Sequence, residues 1–252
     1  MRTRRPLPWG YRLAVALLRP LLMLLTRRDW RGAENLPRTG GFVACPNHIS
    51  HIDVFAFAHY MLDNGHEAYF LGKESLFRLP VVGAVVRGAD QIPVYRETGR
   101  AADAYRAAVA AVEAGRCVGI YPEGTLTRDP DLWPMVGKTG AARVALATRC
   151  PVIPVAQWGA QDLLAPYSAR LRLFPRKTMH VMAGPPVDLS DLYDLPRDHG
   201  VLAEATARIM AALTSLVEDL RGQTAPPVRF NPREHGLPTT GNFRKAKERG
   251  AQ

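Results

Sequence analysis

The chain has 252 residues and carries 33 lysines and arginines against 23 aspartates and glutamates, a formal net charge of +10, with a pI of about 9.9. That length holds one large α/β domain with a substantial core, and the basic balance favours acidic partners. Cys45, Cys117 and Cys150 form an odd set inside or beside apolar runs, which excludes a disulfide framework and a zinc module with paired ligand spacing.

Taken in chain order, residues 11–26 read as a helix. Leu13-Ala14-Val15-Ala16-Leu17-Leu18 and Leu21-Leu22-Met23-Leu24-Leu25 are apolar, but Arg12, Arg19 and Pro20 interrupt them. No uninterrupted stretch reaches the roughly 20 residues that span a bilayer. Arg2, Arg4 and Arg5 precede the segment, and Arg27, Arg28 and Arg31 follow it. Basic flanks on both sides suit a helix lying in the interface of anionic lipid, and the small-residue cleavage site of a signal peptide is missing. A helix packed on the domain's own core is the competing reading of the same pattern.

A strand at 42–45 ends at Pro46 and leads into Asn47-His48-Ile49-Ser50-His51-Ile52-Asp53. His48 and Asp53 are five positions apart, roughly 140° away from each other on a continuous helix. The pair meets if His48 lies on the loop leaving the strand and Asp53 begins the next helix, predicted at 52–62. Asn47 and Ser50 are helix-capping types. So placed, His48 can act as a general base oriented by Asp53.

A strand at 68–71 precedes Lys73, and another at 91–95 delivers Arg96, whose guanidinium fork suits a phosphate. The Ala-rich helix 100–114 stops at Gly115. A strand at 117–121 breaks at Pro122 and delivers Glu123, Gly124 and Thr125 to a turn. There Gly124 lets backbone N–H groups approach a ligand and Thr125 adds a hydroxyl. A helix follows at 138–148. Its opening Gly137-Lys138-Thr139 is not a P-loop, since the required glycine five positions earlier is Leu132, but Lys138 is expected near the site. The strand at 152–157 contains Pro154, expected at an edge or bulge.

A strand at 179–183 and a helix at 199–221 complete the pattern. Strands alternating with helices of this length predict a mostly parallel mixed sheet covered by helices. The organisation reads as a membrane-surface helix at 1–31, one catalytic domain at 32–221, and an extended or disordered basic tail at 222–252. Arg244, Lys245, Lys247 and Arg249 of that tail read as solvated.

Four segments in this order resemble the glycerolipid acyltransferase family of lysophosphatidate and glycerol-phosphate acyltransferases. Asn47, His48 and Asp53 match the family's Asn-His-x-x-x-x-Asp. Gly88, Ile92 and Arg96 approximate its Gly-x-Ile-x-x-x-Arg. Tyr121-Pro122-Glu123-Gly124-Thr125-Leu126 stands for Phe-Pro-Glu-Gly-Thr-Arg, and Ile153-Pro154-Val155 matches its Val-Pro-Val strand. The resemblance covers roughly residues 30 to 220. It implies a glycerol-3-phosphate acyltransferase-like fold with His48 and Asp53 catalytic. Lys73, Arg96, Glu123, Gly124, Thr125 and Arg128 would be the substrate-binding set, with no metal or cofactor. Lys73 matches a lysine that contacts the acceptor phosphate in similar enzymes. The departure is Leu126, where the family often has arginine; the next basic residues are Arg128 and Lys138.

The implied reaction moves a fatty acyl group from a thioester, acyl-CoA or acyl carrier protein, to the free hydroxyl of 1-acyl-sn-glycerol 3-phosphate. The product is phosphatidate, for phospholipid biosynthesis at the cytoplasmic face of the cell membrane by a peripheral or monotopic enzyme. No Gly-x-Ser-x-Gly elbow is present, so no serine acyl-enzyme is expected. Glu123 would repel a phosphate and is expected to organise the turn or bind an acceptor hydroxyl. Leu126 leaves glycerol 3-phosphate or a glycolipid open as acceptor. The contrasting class is a non-catalytic basic module for anionic lipid or nucleic acid. Against nucleic acid, the aromatics sit within apolar runs and not on a basic face.

Overall fold

The structure, a computed structural model, describes residues 7–94, 101–239 and 241. In chain order the elements are α1 (Trp9–Leu25), β1 (Thr26–Arg31), β2 (Phe42–Pro46), α2 (Asp53–Asp63), β3 (Ala68–Lys73), α3 (Glu74–Phe77), α4 (Pro80–Gly88), β4 (Ile92–Val94), α5 (Ala101–Glu113), β5 (Cys117–Gly119), α6 (Gly140–Thr148), β6 (Val152–Trp158), α7 (Ala160–Leu163), β7 (Lys177–Ala183) and α8 (His199–Arg221). Seven strands form one sheet in the order β1-β7-β6-β2-β5-β3-β4. β6, β2, β5, β3 and β4 are mutually parallel, while β7 runs antiparallel to β6 and parallel to β1. The fold is therefore the predicted mostly parallel sheet covered by helices.

β2 shows why the sheet reads as apolar runs and not as alternation. All five of its residues are buried. Phe42 and Ala44 pack with Ala56, Phe57 and Tyr60 of α2. Val43 and Cys45 pack on the other face with Ala108 of α5, Leu146 of α6 and Ile209 of α8. A strand covered on both faces buries side chains of both parities. Emptying one such site, for example Phe57→Ala, is expected to cost about 3–5 kcal/mol. Cys45, Cys117 and Cys150 are buried in these layers, and burial pushes their thiols up from the usual range.

This layering places the site. β2 leaves through α2 on one face toward β3, whereas β5 leaves through α6 on the opposite face toward β6. The connections diverge at the β2–β5 pair and open a crevice at the carboxyl ends of these strands, the usual ligand position in open α/β sheets.

Several expectations need correction. Residues 26–31 continue as edge strand β1 beside β7, with Thr26 opposite Lys177, so the expected division at 31/32 falls at the end of a sheet strand. Arg27, Arg28, Asp29 and Arg31 make β1 a charged edge, and that charge hid it from an apolar-pattern reading. α3, α4 and α7 were also unpredicted; two have only four residues. Pro154 lies in β6, between β7 and β2, and not at an edge or bulge. The register explains this. β7 ends at Ala183 opposite Val155, so the donor Pro154 lacks falls where the neighbouring strand has stopped.

α1 is docked by close backbone approach. A Cβ on Gly10 would lie 2.3 Å from Val85 O, and one on Gly88 would lie 2.3 Å from the Trp9 ring. Tyr11 is buried, its hydroxyl accepting from Ala68 N at 3.2 Å, while Leu17, Leu21 and Leu24 stay exposed. α8 is long and apolar enough by composition to cross a membrane, but Leu202, Ala205, Ile209 and Leu213 are buried against the sheet and α6. Asp198 caps its start, accepting from Val201 N at 2.9 Å, and Gly222 ends it with φ 62°.

Candidate active site

The chain leaves β2 at Pro46, and Asn47 fixes its direction. Asn47 is buried, its side chain donating to Gln157 O (3.1 Å) and accepting from Gln157 N (2.7 Å); Gln157 Nε2 returns a bond to Asn47 O (3.1 Å). An amide supplies both the donor and the acceptor that β6 needs here. Asn47 is therefore a cross-strand brace and not the helix cap that its type suggested; the residue before α2 is Ile52. Ser50 accepts from Ile52 N (3.2 Å) and donates to Leu164 O (2.7 Å).

His48 follows on the loop, and Asp53 is the first residue of α2, as the spacing required. His48 Nδ1 lies 3.0 Å from both Asp53 carboxylate oxygens. Asp53 is fully buried and also accepts from Ile49 N (2.7 Å) and Ser50 N (2.9 Å). Every partner is a donor, and the carboxylate sits at the positive end of α2, so the anion is well satisfied. A carboxylate offers no proton, so Nδ1 carries the hydrogen, and in the neutral ring the lone pair is on Nε2. The His48 side chain is 16% exposed, enough for a ligand to reach one edge of a ring otherwise held against Tyr121, with centroids 4.3 Å apart. His51 is exposed, and the dyad carboxylate is turned to His48.

The Pro-Glu-Gly-Thr turn is bound to this loop. Glu123 accepts from His48 N (3.0 Å) and from Met135 N (3.1 Å), and Thr127 N donates to His48 O (2.7 Å). Glu123 is thus a loop organiser. Burial pushes its carboxyl up to about 7, against the pull of the two backbone bonds. Gly124 has φ 69°, and a Cβ there would meet the Lys138 side chain at 3.0 Å, so glycine leaves room for Lys138 over the turn. Thr125 is half-buried. Burial and the nearby Asp53 charge hold the Tyr121 phenol well above its ordinary range.

Residues 126–139 have no regular structure but are firmly held. Thr127 Oγ1 donates to Trp133 O (2.7 Å). The Arg221 guanidinium stands between the Trp133 and Trp158 rings, 3.8 Å and 4.3 Å from their centroids. The expected tail turns back onto this wall: Arg128 Nη2 donates to Gly241 O (3.0 Å) and Lys138 Nζ to Thr239 O (3.1 Å). Residues 222–239 carry no helix or strand, but they pack on the domain and are not a detached arm; Val136 N donates to Phe230 O (3.1 Å). Beneath them lies a cavity of about 390 Å³ reaching Glu123, Lys138, His199 and Arg233.

The predicted site residues therefore divide. His48, Asp53, Glu123, Gly124 and Thr125 come together at the β2–β5 crevice. Lys73 ends β3, exposed at the same end of the sheet and opposite Val94 of β4. Arg96 lies outside the described residues. Arg128 is buried under the tail, and Leu126 is buried with its carbonyl accepting from Tyr167 (2.9 Å). Sequence reading missed Gln157, Tyr121 and Tyr167. Gln157 had a signal, being the one amide in the apolar run Val152–Trp158, where an uncharged polar side chain asks for a partner.

The sequence model of a family described as Acyltransferase matches residues 27–158. A 1-acyl-sn-glycerol-3-phosphate acyltransferase of Bacillus subtilis (strain 168) is 26% identical over 213 residues, 84% of this chain and 98% of that protein. One of the same description from Borreliella burgdorferi is 32% identical over 132 residues, 52% of this chain and 51% of its own length. The crystal structure of the 1-acyl-sn-glycerophosphate (LPA) acyltransferase of Thermotoga maritima superposes with a TM-score of 0.61 at 22% identity, over 86% of this chain and 81% of that one. That likeness shows a shared fold.

Proposed function

This chain belongs to the acyltransferase family, and on that premise we propose that it acylates the free hydroxyl of 1-acyl-sn-glycerol 3-phosphate to give phosphatidate. The observation that carries the reading is the His48–Asp53 pair, 3.0 Å apart at the sheet's crevice; the Bacillus relative of that activity, matched over nearly its whole length, supports the acceptor.

In the proposed mechanism the acceptor hydroxyl attacks the thioester carbonyl. His48 Nε2 takes the hydroxyl proton as the C–O bond forms, and Asp53 stabilises the imidazolium through Nδ1–H. Collapse of the tetrahedral intermediate breaks the C–S bond, and the proton passes from Nε2 to the leaving thiolate. No acyl-enzyme is needed, because the donor is already activated. Lys73, at the end of β3, would hold the acceptor phosphate together with Arg96, and Arg128 and Lys138 are the further basic candidates. Gly124 and Thr125 would line the reacting centre. Acyl-CoA and acyl carrier protein are both acidic, and the net charge of +10 suits either donor.

The same reading places the enzyme on the cytoplasmic face of the membrane, with α1 at the interface. Deletion of residues 1–31 would be a poor test, since it removes β1 from the sheet. Replacing the exposed Leu17, Leu21 and Leu24 by glutamine spares the fold. It is expected to weaken binding to anionic vesicles and to lower activity on vesicle-borne acceptor more than on detergent-dispersed acceptor.

The direct test is thiol release from acyl-CoA by the purified chain with a panel of acceptors. Lysophosphatidate should support turnover, and water alone should not. A preference for glycerol 3-phosphate or an uncharged glycolipid would move the assignment within the family. Leu126, where the family often has arginine, leaves that second reading open. No thiol release with any acceptor would leave a lipid-binding module in place of an enzyme.

A further inference from the structure

The loop between α7 and β7, residues 164–176, has no part in the chemistry above, yet it is tied to both catalytic loops. Ser50 Oγ donates to Leu164 O (2.7 Å), and the Tyr167 hydroxyl donates to Leu126 O (2.9 Å). Arg172 N donates to Leu163 O (2.8 Å) and Leu164 bridges Leu171, which folds the loop back on itself. The register fixes where it projects. His180 pairs with Trp158 at the carboxyl end of β6, so β7 begins, and the loop ends, on the same side of the sheet as His48.

The outer face of the loop is unusual for water. Phe174 is 82% exposed and Leu171 54%. Arg170, Arg172, Arg176 and Lys177 flank them in the sequence, and no acidic residue lies between Asp162 and Lys177. The apolar surface continues into α1: Arg176 Nη2 donates to Met23 O (2.8 Å) and Thr26 O (2.7 Å) at the end of that helix, whose last turns expose Leu21 and Leu24. An exposed phenylalanine in a segment rich in arginine matches the boundary of an anionic bilayer, with apolar tips among acyl chains and cations at headgroup phosphates.

We propose that residues 164–176 form a lipid-inserting lip, seated with the end of α1 on an anionic bilayer, so that His48 opens at the membrane surface. A lip hydrogen-bonded to the catalytic loops couples seating to the site; α1 alone would only tether the enzyme. The proposal rests on the lipid-acceptor reading.

The test uses the full chain with Phe174→Cys, labelled by an environment-sensitive fluorophore; the three native cysteines are buried. On phosphatidylcholine vesicles containing about one third phosphatidylglycerol, the label should shift to the blue, and less so on phosphatidylcholine alone. Phe174→Asp should weaken partition to the anionic vesicles about tenfold and lower activity on vesicle-borne lysophosphatidate to match. Activity on detergent-dispersed acceptor should stay within about twofold. Arg170→Gln with Arg172→Gln should weaken the preference for anionic vesicles, and an unchanged preference would overturn the lip. A label still in water on vesicle-bound protein, or wild-type partition by Phe174→Asp, overturns the lip. A label shift with an acidic carrier protein and none with vesicles assigns the surface to a protein and overturns it too. A lipid-dependent shift without turnover on any acceptor upholds the lip and removes the acceptor reading.

Discussion

His48 follows one parallel strand and Lys73 ends another, both at the same end of the sheet, but the fold holds them differently. His48 leaves central β2, where Asn47 is braced to Gln157, Asp53 is fully buried, and Glu123 binds the His48 backbone. Lys73 leaves β3 one strand from the edge, is exposed, and opens the four-residue helix α3. Proton transfer needs reacting atoms held within tenths of an ångström before the substrate arrives. A phosphate can be gripped by a long cation that adjusts as it binds. The central region should therefore fail through rate, and the edge through affinity.

His48→Ala should lower kcat by about 10³-fold or more with the thermal midpoint nearly unchanged; near-normal turnover would end the base assignment. Asp53→Asn should cost about 10²-fold in kcat, because an amide can favour the wrong tautomer and cannot stabilise a cation. A pure KM effect in either variant would erase the contrast between centre and edge.

Glu123 probes the centre through stability. Its folded carboxyl is pushed up to about 7 from an ordinary 4.5. The native state thus holds a proton that the unfolded chain releases. That contribution is fully present below about pH 4.5 and is lost as pH rises through about 7, at most roughly 3 kcal/mol. Denaturant unfolding across this range should show the decline, and Glu123→Gln should flatten it. An unchanged slope in the variant would mean that Glu123 titrates normally.

At the edge, Lys73→Ala should raise acceptor KM about tenfold, the scale of one charge-assisted contact, and leave donor KM and kcat within about twofold. Wild-type acceptor kinetics would shift the phosphate to Arg128 and Lys138. His51→Ala should change turnover by less than about twofold, since the dyad carboxylate is turned to His48. If it were the dead variant, the base would be the other histidine.

The same contrast governs what the sequence made legible. The His48–Asp53 relation follows from spacing and from a strand-to-helix break, both local. Buried strands follow from their apolar runs, and the long helix 199–221 from its apolar period. β1 was invisible because its partner β7 lies about 150 residues away and its side chains are charged; pairing alone makes it a strand. The brace from Asn47 to Gln157 spans 110 positions, and Asn47 next to a helix reads locally as a cap. The return of the tail onto Arg128 and Lys138 depends on backbone carbonyls, which carry no residue signature.

The burial of Cys45, Cys117 and Cys150 has a consequence for chemoselectivity. A bound thioester is open to exchange with any thiolate nearby, and such exchange would strand the acyl group on the protein. Exchange needs the ionised sulfur and a path to it. Here the thiols are enclosed, and burial holds the proton on, so the acceptor hydroxyl meets no rival from the protein's own sulfur. The native chain should accordingly be silent to a thiol reagent and show its full complement of three cysteines on unfolding. Thiol appearing in a donor assay would then report turnover alone.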